Sequence, residues 1–340
     1  MSVRDPTDSQ TGPKKVLLLG ATGTIGCATA EALTQAGHRV TCVVRRRGGG
    51  TSQAVLPQSL RLPPEITLRF ADVTDAVSLR SDGLREDAFD VLISCLASRD
   101  GTPKDAWAID DAANRNAIAV AQETGIAQVI LLSAICVQKP RLAFQHAKLS
   151  SEKALIDSGL TYSIVRPTAF FKSLSGQIER VQEGKPFLLF GDGTLTACKP
   201  ISDRDLAAFL VGCIADPTRR NQILPIGGPG PAITPRDQGE ALFDLLGTPP
   251  KFRQVPLALF AAICSALAVL GRVAPSFATK AELARIGQYY ATESMLVLNP
   301  NTGRYDAEAT PSYGEDRLFD FYRQVLDGTA TVERGDHSVF

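Results

Sequence analysis

Three glycines at every third position, Gly20, Gly23 and Gly26, are the first residues in the sequence whose spacing could serve chemistry. They follow an aliphatic run at 16–19 that is typical of a buried parallel strand, and an alanine-rich helical pattern begins directly after them. In such a strand–turn–helix unit the glycines allow a tight turn and a close approach of a pyrophosphate to the backbone. The helix dipole and its free N–H groups then hold the phosphates. The turn therefore predicts a dinucleotide site made of Gly20, Thr22, Gly23, Thr24, Ile25 and Gly26.

Three consecutive arginines follow the second predicted strand, residues 40–44, and bear on the choice of cofactor. Enzymes that prefer NAD place an acidic residue at this point to bind the ribose 2′-hydroxyl, whereas the 2′-phosphate of NADP is bound by arginine. The sequence has no carboxylate near these arginines, so Arg45 and Arg46 favour NADP(H), and NADPH is the expected cofactor. The alternative interpretation is a solvated basic turn.

The ends of four later predicted strands supply the rest of the expected cofactor site. The candidates are Asp72 and Val73 after strand three, Leu96 and Ala97 after strand four, Ser133 after strand five, and Pro167 after strand six. The carboxylate of Asp72 could accept a hydrogen bond from the adenine amino group, or it could cap the next helix. Small residues after strand four would let the ribose and the nicotinamide pass over the strand end.

Strands and helices alternate from residue 16 to residue 165, an order that predicts an α/β fold. We expect a Rossmann-like, doubly wound parallel sheet that binds its ligand beyond the carboxyl ends of the strands. The expected organisation is a flexible tail at 1–14, an NADP-binding domain at 15–165 with later strands from 187–230, a smaller and mainly substrate-binding lobe at 166–330, and a tail at 331–340.

The composition argues against several classes of function. Lys and Arg together number 36, as do Asp and Glu, so no single-sign field points to nucleic acid. Seven cysteines without a C-x-x-C pair and three scattered histidines predict reduced core thiols rather than disulfides or a metal site. The short polar N-terminal segment lacks an apolar signal core and is too short and too acidic for a typical transit peptide, so we expect a cytoplasmic protein.

One long apolar segment stands apart from this pattern. Residues 257–270 contain a single polar side chain, that of Ser265. The segment is shorter than the roughly 20 residues needed to span a bilayer. Three interpretations remain open, in this order: a buried helix, a wall of an apolar pocket, or a shallow contact with the surface of a membrane.

The layout resembles the short-chain dehydrogenase/reductase superfamily, in its atypical G-x-x-G-x-x-G branch. The resemblance implies a Tyr-x-x-x-Lys pair on the helix after strand five, in which the tyrosine protonates a carbonyl oxygen and the lysine binds the nicotinamide ribose. This chain has Lys148, the expected catalytic and ribose-binding residue, but Phe144 stands four residues earlier on the same helical face. The alternative for Lys148 is a surface residue on a helix.

The missing phenol argues against ordinary alcohol–ketone chemistry, because hydride addition to a carbonyl leaves an alkoxide that needs an acid. Hydride delivered to a carbon–carbon double bond that is conjugated to a large π-system leaves a negative charge spread over the ring. Such a delocalised charge needs less stabilisation by an acid than an alkoxide does. The phenylalanine at position 144, in place of tyrosine, is therefore consistent with a different class of substrate.

The chain also resembles one family closely, the NADPH-dependent divinyl chlorophyllide a 8-vinyl reductases, over residues 16–326. The segments that carry this resemblance are 20–26, 144–149, 162–174, 191–193, 201–203, 226–230, 291–295 and 308–314. The resemblance implies that NADPH reduces the C8 vinyl group of divinyl chlorophyllide or protochlorophyllide to ethyl. The run at 170–174 and the C-terminal segments are its most specific part.

A pigment of this kind is flat, apolar and anionic at its propionate, so its pocket should be apolar with a cation at the rim. Available side chains include Phe144, Phe170, Phe171, Phe187 and Phe190, with Lys172 or Lys199 as the cation. A place in the protein core is the alternative for these phenylalanines. Peripheral contact with photosynthetic membranes would suit the same substrate.

Two other functions are compatible with these residues. A non-catalytic NADP(H) sensor of the same fold would bind both cofactor forms and a regulatory partner without consuming either form. A reductase of plant-phenolic type would keep the lysine and differ in its substrate. Turnover separates the first alternative from the pigment reductase, and competition between the two substrate classes separates the second.

Overall fold

The computed structural model of the chain describes residues 12–45, 62–271 and 275–332. Its strands are β1 (Lys15–Leu19), β2 (Arg39–Val44), β3 (Thr67–Phe70), β4 (Val91–Ser94), β5 (Gln128–Leu132), β6 (Thr161–Pro167), β7 (Phe187–Phe190), β8 (Gln222–Ile226), β9 (Phe252–Val255), β10 (Val297–Leu298) and β11 (Tyr305–Asp306). Its α-helices are α1 (Thr24–Gln35), α2 (Ala76–Ser78), α3 (Pro103–Ala106), α4 (Asn114–Thr124), α5 (Ala143–Asp157), α6 (Phe171–Leu174), α7 (Ile178–Gln182), α8 (Asp203–Ala215), α9 (Pro235–Leu245), α10 (Leu257–Gly271), α11 (Pro275–Thr292) and α12 (Leu318–Leu326). The predictions for Arg46, for most of the loop that follows it and for the outer parts of both tails lie outside the described residues.

Seven parallel strands form the central sheet in the order β3-β2-β1-β4-β5-β6-β8. The chain runs outward from β1 through β2 to β3 and then returns to place β4 beside β1. This reversal is the point at which a doubly wound sheet opens a crevice for its ligand. The predicted α/β fold with a Rossmann-like parallel sheet is therefore confirmed.

The later strands divide between two sheets. We expected strands from 187–230 to extend the central sheet, and β8 does so by pairing with β6. The other strand, β7, pairs instead with β9 in a separate two-stranded sheet. An apolar run such as that of β7 predicts a strand, but it carries no information about which partner will cover its edge.

The core lies on both faces of the central sheet, as buried parallel strands require. Along β1, Val16 and Leu18 belong to one hydrophobic cluster and Leu17 and Leu19 to another. Residues of α1 and α8 line the first cluster and residues of α4 the second. The side chains of β1 are buried from Val16 to Leu19, so the position of the following glycine turn is fixed by packing.

The sequence pattern predicts a helix over 107–124 that ends at Gly125, and in the structure this helix before β5 begins earlier. Its first turn, α3, starts at Pro103, and a π-helical segment, Trp107–Ala113, joins it to α4. A proline at the first helical position favours a helix start there, which the apolar periodicity did not register. The predicted end at Gly125 is confirmed, and this residue has a left-handed φ of 74°.

The apolar segment at 257–270 forms α10, which packs against α11. The thiol of Cys264 is buried and donates to the carbonyl of Ala284 at 3.4 Å. However, Leu259, Ile263 and Val269 are 53%, 46% and 59% exposed. The first interpretation, a buried helix, is therefore wrong for this face of α10. In the part of the chain that the structure describes, no helix is long and apolar enough to cross a membrane.

Candidate active site

The glycine turn between β1 and α1 has the shape expected of a phosphate site. Gly20 has a φ of +83°, and a β-carbon there would lie 2.6 Å from the carbonyl oxygen of Cys95. A β-carbon on Gly26 would lie 2.1 Å from the carbonyl oxygen of Gly20. Gly23 precedes α1 with extended backbone and has no side chain to cover the N–H groups of the first helical turn. The turn therefore fits a dinucleotide diphosphate.

The adenosine end of the expected site brings two predicted residues together. Arg45 lies exposed after β2, and its charge acts on Asp72 after β3. The carboxylate of Asp72 accepts hydrogen bonds from the Thr74 hydroxyl at 2.6 Å and the Thr74 N–H at 2.9 Å. These bonds and then Arg45 hold the pKa of Asp72 below its usual value. The helix is capped by Asp75, which accepts from the Val77 N–H at 2.9 Å, so the capping role expected of Asp72 is wrong.

Lys148 lies on α5 in a buried ion pair. Its ammonium nitrogen is 2.9 Å from Oδ1 of Asp110, and the two residues are 9% and 0% exposed. The N–H of Ser98 donates to the same oxygen at 3.3 Å. Lys148 is therefore not the surface residue of the alternative interpretation. The pair stands beside the end of β4, where the ribose and nicotinamide are expected.

The second oxygen of Asp110, Oδ2, is buried and has no hydrogen-bond partner among the residues that the structure describes. Leaving a buried carboxylate oxygen unpaired costs free energy, so such an atom indicates a missing donor. A ribose hydroxyl is a donor of the right kind. The Lys148–Asp110 pair thus fits the sugar of a nicotinamide cofactor.

Sequence reasoning missed Asp110. It stands in the π-helical segment Trp107–Ala113, which the periodicity predicts as ordinary α-helix. The local signal was a pair of acidic residues, Asp110 and Asp111, within an otherwise apolar stretch. π-helical turns recur at functional sites because they redirect a side chain, and here the redirected carboxylate meets Lys148.

Ser133, after β5, is buried and its hydroxyl donates to Glu152 on α5. Glu152 also forms an ion pair with Arg166 of β6, with Nε of Arg166 3.0 Å from Oε1. The hydroxyl of Ser133 therefore already has an acceptor within the protein, the carboxylate of Glu152. Pro167 is buried in register with Ile226 of β8.

The candidate cofactor residues that follow β3 and β4 differ in exposure. Val73 and Leu96 are buried, whereas Ala97 is exposed. Ala97 therefore presents an open surface beyond the end of β4, as the expected path of the ribose requires.

The candidate pigment residues fall into two groups. Phe171 packs its ring 5.7 Å from that of Phe321, and Phe187 lies 6.3 Å from Phe252, both in one buried cluster. For these two the core interpretation describes the structure. Phe170 is half-buried at the end of β6.

The remaining two aromatic candidates contact helices α11 and α10. Phe144 is buried in a cluster with Ile286 and Tyr289 of α11. Phe190 stacks on Phe260 of α10 at 4.9 Å.

The two lysines expected at the pigment rim contact other parts of the chain. Nζ of Lys172 is 3.3 Å from the hydroxyl of Thr24, the first residue of α1, and so reaches the nucleotide turn. Nζ of Lys199 is 2.9 Å from the carbonyl oxygen of Thr310 and ties down the C-terminal segment. Only the aromatic neighbours of Lys172 suggested a pigment role, and its contact with α1 depends on tertiary packing.

No disulfide joins cysteines in the described residues, and six of the seven cysteines are buried. Burial raises the pKa of the Cys95 thiol, behind the glycine turn, to about 12. Within the described ranges, no group of three or more His, Cys, Asp or Glu side chains could hold a metal ion.

This fold and this turn define an NAD(P)-binding α/β protein of the Rossmann type. The model of an NAD(P)H-binding family matches residues 20–217. Solved structures agree on the fold. The NADPH-dependent quinone oxidoreductase of Escherichia coli in complex with NADPH superposes with a TM-score of 0.64 at 19% identity, over 92% of this chain and 99% of that one. The Bordetella bronchiseptica enzyme WbmG in complex with NAD has a TM-score of 0.65 at 14% identity, over 98% of both chains.

The chain belongs to the divinyl chlorophyllide a 8-vinyl-reductase family. It is 45% identical to the chloroplastic reductase of Arabidopsis thaliana, over 97% of this chain and 82% of that protein. It is 47% identical to the chloroplastic reductase of Oryza sativa subsp. indica, over 96% and 82%. The family expected from the sequence motifs is confirmed.

Proposed function

We propose that this protein reduces the C8 vinyl group of divinyl chlorophyllide or protochlorophyllide to ethyl with NADPH. The observation that carries the proposal is its identity of 45–47% to reductases of that name along 96–97% of the chain. The site supports it as well, because a phenylalanine stands where a carbonyl reductase needs a phenol.

The cofactor supplies a hydride, and the residues of this chain bind and orient the cofactor. The turn from Gly20 to Gly26 holds the diphosphate on the N-terminus of α1. Lys148 donates to the nicotinamide ribose, and Asp110 both neutralises the buried ammonium and accepts from a ribose hydroxyl. Ala97 leaves space for the ring beyond β4. The hydride acceptor is a double bond conjugated to the macrocycle, so its charge is delocalised.

The pigment lies against apolar side chains on the far side of the nicotinamide. Phe144 and the half-buried Phe170 are the residues that we assign to this contact. Phe171 supports Phe170 from the core through its packing on Phe321. We assign Lys172 to the cofactor diphosphate rather than to the propionate, because its ammonium group contacts Thr24 in the nucleotide turn.

The test is anaerobic mixing of the protein with NADPH and a divinyl pigment. Conversion to the monovinyl species, with NADPH consumed in equal amount, is the expected result. Binding of both cofactor forms without consumption would contradict the proposal and identify an NADP(H) sensor instead. Competition between the pigment and a phenolic substrate distinguishes the pigment reductase from the third possibility, a reductase of plant-phenolic type.

Arg45 and Arg46 select NADPH in this proposal. Replacing Arg45 by Asp together with Arg46 by Ser removes two cations from the 2′-phosphate, and an exposed charge-assisted contact is worth about 1.5 kcal/mol. Two such contacts contribute about 3 kcal/mol together, so we expect KM for NADPH to rise about 100-fold, with KM for NADH changed less than twofold. Steady-state kinetics with both cofactors measure this. An equal rise for both would refute the role of the arginines.

The exposed face of α10 is proposed to touch a membrane surface from which the apolar pigment is taken. Leu259, Ile263 and Val269 lie on one face of a helix that has no charged residue from Leu257 to Gly271. Burying such side chains in the interface contributes about 1.5–3 kcal/mol each. Cysteines that form no disulfide in the described residues suit a reducing, cytoplasm-type compartment.

Replacing Leu259 and Ile263 by Asp should weaken binding to phospholipid vesicles by about tenfold or more, because two apolar anchors become charged. Co-sedimentation measures the bound fraction. Ile156→Asp, at an exposed position of α5, is the matched control. Equal binding of the double variant and this control would place the contact elsewhere.

A further inference from the structure

Helix α11 lies over the segment that follows β5 and the start of α5. The hydroxyl of Tyr289 is 2.9 Å from the carbonyl oxygen of Cys136 and 3.1 Å from that of Lys139. Ile286, one turn earlier, shares a buried cluster with Phe144. These contacts fix α11 above the place where the superfamily pattern would put a catalytic phenol.

The next residue on this helix, Tyr290, directs its phenol to the same place. Its ring packs edge-to-face on Tyr289 with centroids 5.7 Å apart. The thiol of Cys136 and the carboxylate of Asp110 are both close enough to its hydroxyl to act on it electrostatically. Asp110 is the partner of Lys148. The phenol of Tyr290 therefore stands near the Lys148 pair and Phe144.

Tyr290 is partly exposed and does not belong to the buried core. The residue keeps 40% of its surface accessible, although protein groups surround its hydroxyl. This desolvation, and then the nearby Cys136, raises the pKa of Tyr290 well above its usual value. The phenol consequently keeps its proton at neutral pH, in the form that a proton donor needs.

Other hydroxyl groups around the site are bound to acceptors of the protein. The hydroxyl of Ser133 donates to Glu152, that of Tyr289 is held by two backbone carbonyls, and that of Tyr305 donates to Glu293 at 2.8 Å. A thiol accepts weakly, so the interaction of the Tyr290 hydroxyl with Cys136 is more easily exchanged for one with a substrate than these bonds are.

We infer that Tyr290 is the general acid of the reaction and supplies the phenol that position 144 lacks. The inference rests on the proposed function. Hydride from the cofactor forms a C–H bond at one vinyl carbon, and the electron pair of the broken π-bond passes into the macrocycle. The O–H bond of Tyr290 then breaks as its proton forms the C–H bond at the second carbon. The phenolate recovers a proton from solvent water, so atoms and charge balance.

Tyr290→Phe removes one oxygen and tests the inference directly. We expect kcat to fall about 100-fold, the usual scale for loss of a general acid, while dissociation constants for NADP⁺ and pigment change less than twofold. Fluorescence titration measures both constants without turnover. Tyr162→Phe, at the amino end of β6 and therefore away from the carboxyl ends of the strands, is the matched control.

A second variant separates catalysis from packing. Fluorotyrosine at position 290 keeps the O–H group and lowers the phenol pKa. Because the protonated form is the active one, activity is lost as pH rises through that pKa. Because the pKa of Tyr290 is raised in the wild type, its alkaline limb lies at high pH, and fluorotyrosine should produce a limb at lower pH, which a structural role would not cause.

Two results would overturn the inference. One is kcat of Tyr290→Phe within a factor of two of wild type, and the other is an alkaline limb that fluorotyrosine leaves in place. Both require a wild-type protein that reduces the pigment, so they are distinct from failure of the proposed function. A wild type that leaves the pigment unreduced would remove the function and this inference together.

Discussion

Replacing Lys148 by Ala is expected to lower kcat/KM about 100-fold, the scale of loss when a reacting group is no longer held in place. The ammonium group of Lys148 sits in a buried pair with Asp110 and is the residue that we assign to the nicotinamide ribose. Without it, the ribose loses a charged donor and the nicotinamide is free to tilt. Stopped-flow measurement of NADPH oxidation, with a separate titration of NADP⁺, measures the loss.

The substitution also leaves the carboxylate of Asp110 buried without a counter-charge, which typically costs about 3–5 kcal/mol of folding free energy. A double variant, Lys148→Met with Asp110→Asn, removes both charges and should recover most of this stability. We expect it to remain inactive. Recovery of activity together with stability would show that Lys148 acts through folding alone, and activity of Lys148→Ala near that of wild type would remove it from the site.

Signals that are local in the sequence predicted most of the fold and the nucleotide turn. Gly20 and Gly26 are required by contacts with the adjacent strand and turn, so their spacing alone was informative. The buried run of β1 and the left-handed glycine after α4 are local in the same sense. Each of these predictions depended on residues within one strand–turn–helix unit.

Features that depend on packing between distant segments could not be predicted. The pairing of Asp110 with Lys148 requires a π-helical segment that periodicity does not reveal. The phenol of Tyr290 reaches the site from α11, far along the chain. Hydropathy identified α10 as a helix but could not say that Leu259 and Ile263 would be exposed, because composition does not specify which face is covered.

Lys172 illustrates the same limit and leads to a sharp test. Its neighbours Phe170 and Phe171 suggested a place at the pigment, yet its Nζ lies 3.3 Å from the hydroxyl of Thr24. At this point the dipole and the N–H groups of α1 already favour an anion, and a lysine adds a full positive charge. A diphosphate bound in the turn would meet Lys172 and the start of α1 together.

Lys172→Gln should therefore raise the dissociation constant of NADP⁺ about 10- to 100-fold, because a hydrogen bond to a charged group contributes about 1.5–3 kcal/mol. Calorimetric titration at low and high salt measures this, and the loss should shrink as salt rises because screening weakens the wild-type contact. Lys185→Gln, which removes an exposed ammonium that pairs with Glu183, is the matched control. An unchanged NADP⁺ affinity together with a raised KM for the pigment would contradict this assignment. It would indicate that Lys172 binds the propionate of the pigment and not the diphosphate of the cofactor.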